Sequence, residues 1–188
     1  MASEPTARRF TVDEYRRMGE AGILGEDDRV ELLDGEIVQI TPIGSRHAAC
    51  VDRVVDCFRT LPADRAIIRV QSPIRLSDRS APEPDVTLLR RRADFYDDRL
   101  PGPEDVLLIV EVAETSVDYD RDRKLPLYAR AGVAEVWLLD IPARQIHACL
   151  DARSGTYRSV RRYKAGEELA PAAFPELRVR VSDLLPHP

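Results

Sequence analysis

The sequence predicts an α/β fold built on a mixed sheet, and three observations carry that prediction. Val106–Ala113 reads V-L-L-I-V-E-V-A, an apolar run broken only by Glu111. A run of this length with Val and Ile is a strand covered on both faces. The stretch after it, from Thr115 to Asp140, reads as a helix and then a second apolar strand, E-V-W-L-L-D. That order makes a crossover to a parallel neighbour. Hairpin signals at Asp34-Gly35 and Ser154-Gly155 add antiparallel strands toward both ends.

Taken in order, residues 1–9 read as a loose terminus. Thr11 and Glu14 then form a capping box, with Phe10 and Tyr15 at the two staple positions. This helix should reach Ala21 and stop at Gly22. Arg29–Leu33 and Glu36–Ile40 are short strands joined by the Asp34-Gly35 turn, and Pro42 and Gly44 end the unit. From His47 to Phe58, Val51, Val54, Val55 and Phe58 recur at helical spacing. His47 lies one turn before Val51, on the same inward face. Ala66–Leu76 reads as a strand with a bulge or edge at Pro73, and Val86–Leu89 as another. A charged connection, Arg90–Asp105, leads into the central strand. The following helix should span Asp118–Ala131 and end at Gly132, with Pro126 best tolerated if the regular helix begins near Asp122. Gln145–Leu150 and Thr156–Tyr163 form the last hairpin, and Leu177–Val181 is one strand-like piece in the tail.

Length and composition bound the rest. The 188 residues suit one domain, with its core at about 45–141. A net charge of −5 argues against non-specific nucleic-acid binding by bulk charge, while leaving room for a local basic patch. The cysteines Cys50, Cys57 and Cys149 have no ligand-like spacing and read as small core residues in a reducing compartment. No run approaches the roughly 18 apolar residues of a membrane span, and the amino terminus lacks a signal-peptide apolar region. A soluble cytoplasmic protein is the expectation.

Glu111 is the residue that demands an explanation. A carboxylate in a buried strand must be protonated, paired or bound to a cation. The strands after Asp85 and before Glu111 are joined without a helix, so antiparallel pairing is simplest. Asp85 starts one strand and Glu111 nears the end of the next, which makes them neighbours. Two close carboxylates are not both cheaply ionised, and hard oxygen ligands suit Mg2+ or Mn2+. The helix after Glu111 must run back across the sheet, so its first turns hang over the strand end. Lys124 lies in those turns and could extend its ammonium toward the pair.

This arrangement resembles the PD-(D/E)XK nuclease superfamily and, within it, the Uma-type restriction endonucleases. The resemblance rests on V-E-L-L-D-G-E-I-V from Val30, His47, E-P-D-V from Glu83, I-V-E-V from Ile109, Y-D-R-D-R-K-L-P-L-Y from Tyr119 and A-G-V-A-E-V-W-L-L-D from Ala131. It covers the chain from about Phe10 to Leu185. It implies a restriction-endonuclease-like core with a helix–hairpin added before it and a hairpin after it. It also implies magnesium-dependent cleavage of DNA phosphodiester bonds. Asp85 and Glu111 would be metal ligands and Lys124 the catalytic lysine, with Glu31 and His47 beside the site. One departure stands out: the superfamily motif expects Lys two residues after Glu111, where this chain has Ala113. Relocation of that lysine to the next helix is typical of the Uma-type group.

Plainer readings accompany these. Asp85 follows a proline at a strand start, Lys124 sits in a charged run, His47 could cap its helix, and Glu31 could simply pair with an arginine. The basic clusters Arg90-Arg91-Arg92 and Arg158, Arg161, Arg162, Lys164 could touch phosphates or form solvated faces. Trp137 and Tyr128 read as core or interface residues. His147 and His187 carry no signal. A homodimer would suit a duplex substrate. Against the endonuclease stand a catalytically silent binding or interaction module that kept the fold, and a phosphoesterase acting on RNA or small nucleotides.

Overall fold

A computed structural model describes residues 6–25, 27–40 and 43–186. Residues 1–5 of the expected loose terminus, Pro42 and His187 lie outside that range. The chain opens with α1 (Val12–Glu20), whose N-cap Thr11 forms the capping box with Glu14. Phe10 and Tyr15 pack on the small cluster of Val12, Leu32 and Ala81. The hairpin of β1 (Val30–Leu33) and β2 (Glu36–Gln39) turns on Asp34 and Gly35, both at positive φ. These two strands form their own two-stranded sheet.

The main sheet has six strands. They are β3 (Ala66–Val70), β4 (Val86–Arg90), β5 (Val106–Ala113), β6 (Glu135–Asp140), β7 (Gln145–Arg153) and β8 (Thr156–Lys164), in that spatial order. Only β5 and β6 are parallel; the other four pairings are antiparallel. This is the mixed α/β architecture expected from the sequence. On one face lies α2 (Ser45–Phe58), which packs Cys50, Val51, Val54 and Phe58 against Leu108, Val110, Val112 and Trp137. On the other lies α4 (Leu125–Ala131), whose Leu127 and Tyr128 cover Ile109, Val136 and Cys149. A bulge opposite Leu88 and Leu89 inserts one extra residue in β5. That shift puts Val106 on the α4 side while Leu108, Val110 and Val112 face α2. Glu111 therefore faces α4.

Three expectations need correction. The strand foreseen over Ala66–Leu76 stops at Val70, because Gln71 adopts a left-handed conformation (φ 44°) and turns the chain toward Asp85. The helix foreseen over Asp118–Ala131 comes in three pieces: α3 (Val117–Tyr119), a π-helical turn over Asp120–Lys124, and α4. The regular helix begins at Leu125 rather than near Asp122. Pro126 lacks an N–H and its ring crowds the carbonyl four residues back, and the wide π turn accommodates both. The strand foreseen over Leu177–Val181 is the two-residue β10 (Val179–Arg180), paired with β9 (Glu168–Leu169) and followed by α5 (Val181–Leu184). Gly132 closes α4 in the left-handed conformation, as expected. Among the described residues no helix is long and apolar enough to cross a membrane.

Candidate active site

The register of β4 and β5 sets the site. Val86 pairs with Val110, so continuing the antiparallel ladder by one residue sets Asp85 opposite Glu111. Asp85 Oδ2 accepts a hydrogen bond from the Val112 N–H at 2.8 Å, which fastens its carboxylate to the neighbouring strand. Asp85 Oδ1 lies 2.8 Å from His47 Nε2, at the first turn of α2. Gln71 Nε2 approaches the same oxygen at 3.4 Å.

Lys124 meets Glu111 from the opposite side. Its Nζ is 3.3 Å from Glu111 Oε1 and 3.4 Å from Glu31 Oε2. Glu31 Oε2 also accepts the Glu83 N–H at 3.1 Å, which ties the hairpin to the segment leading into Asp85. Tyr128 donates its hydroxyl to Glu111 Oε1 at 2.5 Å. All of these but Tyr128, which reaches Glu111 from the core, line an open cleft of about 330 Å³ between the hairpin, the start of α2 and the α3–π turn.

Carboxylates outnumber cations in this cleft, and their titration reflects it. Burial pushes the Glu111 carboxyl up to about 8, with Asp85 and Asp120 adding repulsion against the pull of Lys124 and Tyr128. Burial also raises Asp120, opposed by Lys124 and by the Ser116 hydroxyl that donates to it at 2.6 Å. Glu83 is raised by burial and by its neighbour Glu31. Burial alone would depress the Lys124 ammonium. The surrounding carboxylates, Glu111 and Glu31 first, hold it above its ordinary value instead.

A sequence profile of a known family matches residues 12–182, most of the chain; it is the Uma2 family, described as "Putative restriction endonuclease". The chain belongs to the Uma2 family. Among solved structures, it is similar to a crystal structure described as a putative nuclease belonging to DUF820 from Anabaena variabilis ATCC 29413. The match covers 93% of this chain and 97% of that one, with a TM-score of 0.70 and 14% identity. At that identity the likeness speaks for the fold. No curated protein matches the sequence.

In this Uma2-family chain the five residues singled out from sequence, Asp85, Glu111, Lys124, Glu31 and His47, converge on one cleft. Lys124 does so differently from the exposed helix position its charged run suggested: only 7% of it is exposed, because the π turn rolls it under the hairpin. Glu31 pairs with Lys124 rather than an arginine. Sequence reasoning missed Asp120 and Tyr128. Their signal is the spacing D-x-x-x-K-x-x-x-Y through Lys124, which sets three polar groups on successive turns of one helical face. It also missed the Tyr119 hydroxyl, buried in the cleft wall without a hydrogen-bond partner among the described residues. Trp137 and the cysteines Cys50 and Cys149 are core residues, and all three cysteines are free.

Proposed function

We propose that this chain is a divalent-metal-dependent DNA endonuclease in which Asp85 and Glu111 hold Mg2+ or Mn2+ and Lys124 acts on the reacting phosphate. The observation that carries this reading is Lys124. It approaches the Glu111 carboxylate from the next helix, in the same cleft as Asp85, while position 113 offers only a methyl group. The family description supports the reaction class, and the donor set of the cleft supports the chemistry.

The donor set fits a divalent ion. Glu31, Glu83, Asp85, Glu111, Glu114 and Asp120 line the cleft against Lys124 and Arg29, and three of them are pushed toward the protonated form. That is a site short of positive charge and rich in hard oxygen. When bound there, the ion would polarise a phosphoryl oxygen and lower the pKa of a water. The protein's own groups do the rest. His47 and the Val112 amide orient Asp85. Tyr128 fixes Glu111 through Oε1. Glu31 holds the Lys124 ammonium charged and directed into the cleft, where it can donate to a non-bridging phosphate oxygen.

A specific observation favours the silent-module reading as a rival. Each of Asp85, Glu111 and Lys124 already has partners within the protein, and no three candidate ligands of the cleft lie within 4.8 Å of one another among the described residues. Plasmid DNA incubated with the purified chain separates the two. Nicking that requires Mg2+ or Mn2+ and disappears in Asp85→Ala establishes the enzyme; no nicking at millimolar metal across a range of duplexes establishes the module.

A further inference from the structure

The sheet carries the face of the cleft to its far edge. Glu111 pairs with Leu138, Leu138 with His147, and His147 with Arg162. The next row runs Ala113, Asp140, Gln145, Lys164. Directly paired residues send their side chains to the same face, so Arg162 and Lys164 stand on the face that bears Glu111. At a strand spacing of about 4.8 Å, three strands place them about 14 Å away. His147, between them, is consistent with this: burial lowers its pKa, Asp140 opposes, and Arg162 and Arg121 are near enough to lower it further.

β8 is an edge strand that carries Arg158, Arg161, Arg162 and Lys164 and no carboxylate. All four are exposed. Among the described residues none of them has a carboxylate partner within 4.0 Å. Elsewhere Arg92, Arg99, Arg121, Arg123 and Arg130 each bridge an acid. In a chain of net charge −5, an uncompensated basic strand on the face of an acidic cleft is a local device, not a bulk property.

We propose that β8, through Arg162 and Lys164, is the docking surface for the phosphate backbone of duplex DNA whose scissile bond enters the Asp85–Glu111 cleft. This rests on the nuclease reading above. The separation of about 14 Å corresponds to about four base steps at 3.4 Å per step along one strand, so one short stretch of duplex reaches both. A second copy of the chain is the poorer occupant. Antiparallel edge pairing about Val160 would set Arg158 against Arg162, like charge against like. Guarding an edge strand from aggregation is the other use for such charges, and it predicts different behaviour.

The test is binding of a short labelled duplex, without divalent cation, across a salt series, for the wild-type chain and Arg162→Gln/Lys164→Gln. Loss of two phosphate contacts should make the slope of log K against log salt shallower by about 1.8 and weaken binding at every salt. The metal-induced rise in melting temperature should be unchanged, because neither residue touches the cleft carboxylates. An unchanged slope overturns the docking surface, and aggregation of the variant with an unchanged slope assigns these charges to edge protection instead. A chain that nicks DNA while the variant keeps the wild-type slope leaves the nuclease reading standing without this surface. A chain that nicks nothing, yet binds duplex with a slope the variant flattens, does the reverse.

Discussion

Two acidic clusters in this protein look alike in composition and behave in opposite ways. Asp94, Asp97 and Asp98 gather their carboxylates within 4.8 Å of one another on the connection before β5. In the cleft, Glu31, Glu83, Asp85, Glu111, Glu114 and Asp120 face Lys124 and Arg29. The first cluster is open to solvent, and the Arg92 guanidinium hydrogen-bonds to Asp94 and holds its carboxyl well below the usual range. The second is buried at Glu31, Glu111 and Asp120 and half-buried at Glu83 and Asp85, and its Glu111, Glu83 and Asp120 are held above it. On the metal reading proposed above, what marks a cation site is unmet charge under a low-dielectric roof rather than proximity of acids, because buried carboxylates lose the compensation that water gives.

The largest expected effect of breaking that contrast is at Lys124. Lys124→Ala removes the cleft's ammonium and leaves the buried Glu31 carboxylate beside Glu111 without its counter-charge. Removing one partner of a buried ion pair costs about 3–5 kcal/mol, so the variant should melt well below the wild type. A small stability loss, natural for an exposed helix position, does not apply to a side chain only 7% exposed. Cleavage should fall about 10²–10³-fold if the ammonium acts as a transition-state donor. Melting temperature and nicking rate on the same samples check both, with Lys124→Ala/Glu31→Gln as the partner variant. Removing that uncompensated carboxylate in the partner variant should recover stability but not cleavage. Recovery of both would assign Lys124 to the fold alone.

How far the sequence foresaw this depends on the range of the forces involved. Val106–Ala113 and Glu135–Asp140 were legible to the residue, because a strand buried on both faces must be apolar throughout. The capping box at Thr11 and both hairpin turns were legible because their chemistry is local. The meeting of Asp85 and Glu111 followed from connectivity. The burial of Lys124 did not. It depends on the π turn, which depends on Pro126 and on a hairpin far away in sequence, and a charged run gives no hint of which cation is rolled inward. The end of β3 at Gln71 was equally hidden, since a left-handed glutamine has no propensity signature.

Tyr128 sharpens the comparison at a smaller scale. Its ring is fully buried in the α4-side core, and its hydroxyl donates to Glu111 as the Arg92 guanidinium donates to Asp94. Tyr128→Phe keeps the packing and deletes that donor. Leaving a buried acceptor short of one partner costs about 1–3 kcal/mol, and at about 2–4 °C per kcal/mol for a chain of this size the melting temperature should drop by several degrees. Metal affinity should fall as well, because Glu111 is no longer oriented through Oε1. Calorimetric titration with Mn2+ alone reads this without any substrate. An unchanged affinity would make the tyrosine a core residue only.

Metal and pH act on the two clusters with the smallest and most diagnostic effects. The folded chain holds the Glu111 proton up to about pH 8, against an ordinary carboxyl value of 4.5. Folding therefore takes up a proton between those values, and the metal-free stability contributed by Glu111 falls as pH rises through that window and levels above it. Glu111→Gln should flatten this slope and be at least as stable as wild type at pH 8. A bound divalent ion should reverse the trend, since it displaces the proton, and titration at pH 6 to 7 should release it into the buffer. With metal at about ten times its dissociation constant, the folded state gains about 1.4 kcal/mol, a rise of about 3–6 °C at 2–4 °C per kcal/mol. Glu111→Gln and Asp85→Ala should abolish that rise. Asp94→Asn should leave it intact and lower the melting temperature only by what the loss of a partly exposed ion pair to Arg92 costs. If Asp94→Asn removes the metal response instead, the exposed cluster is the cation site, and the raised carboxyl of Glu111 is only the cost of burying an acid beside Tyr128 and Lys124.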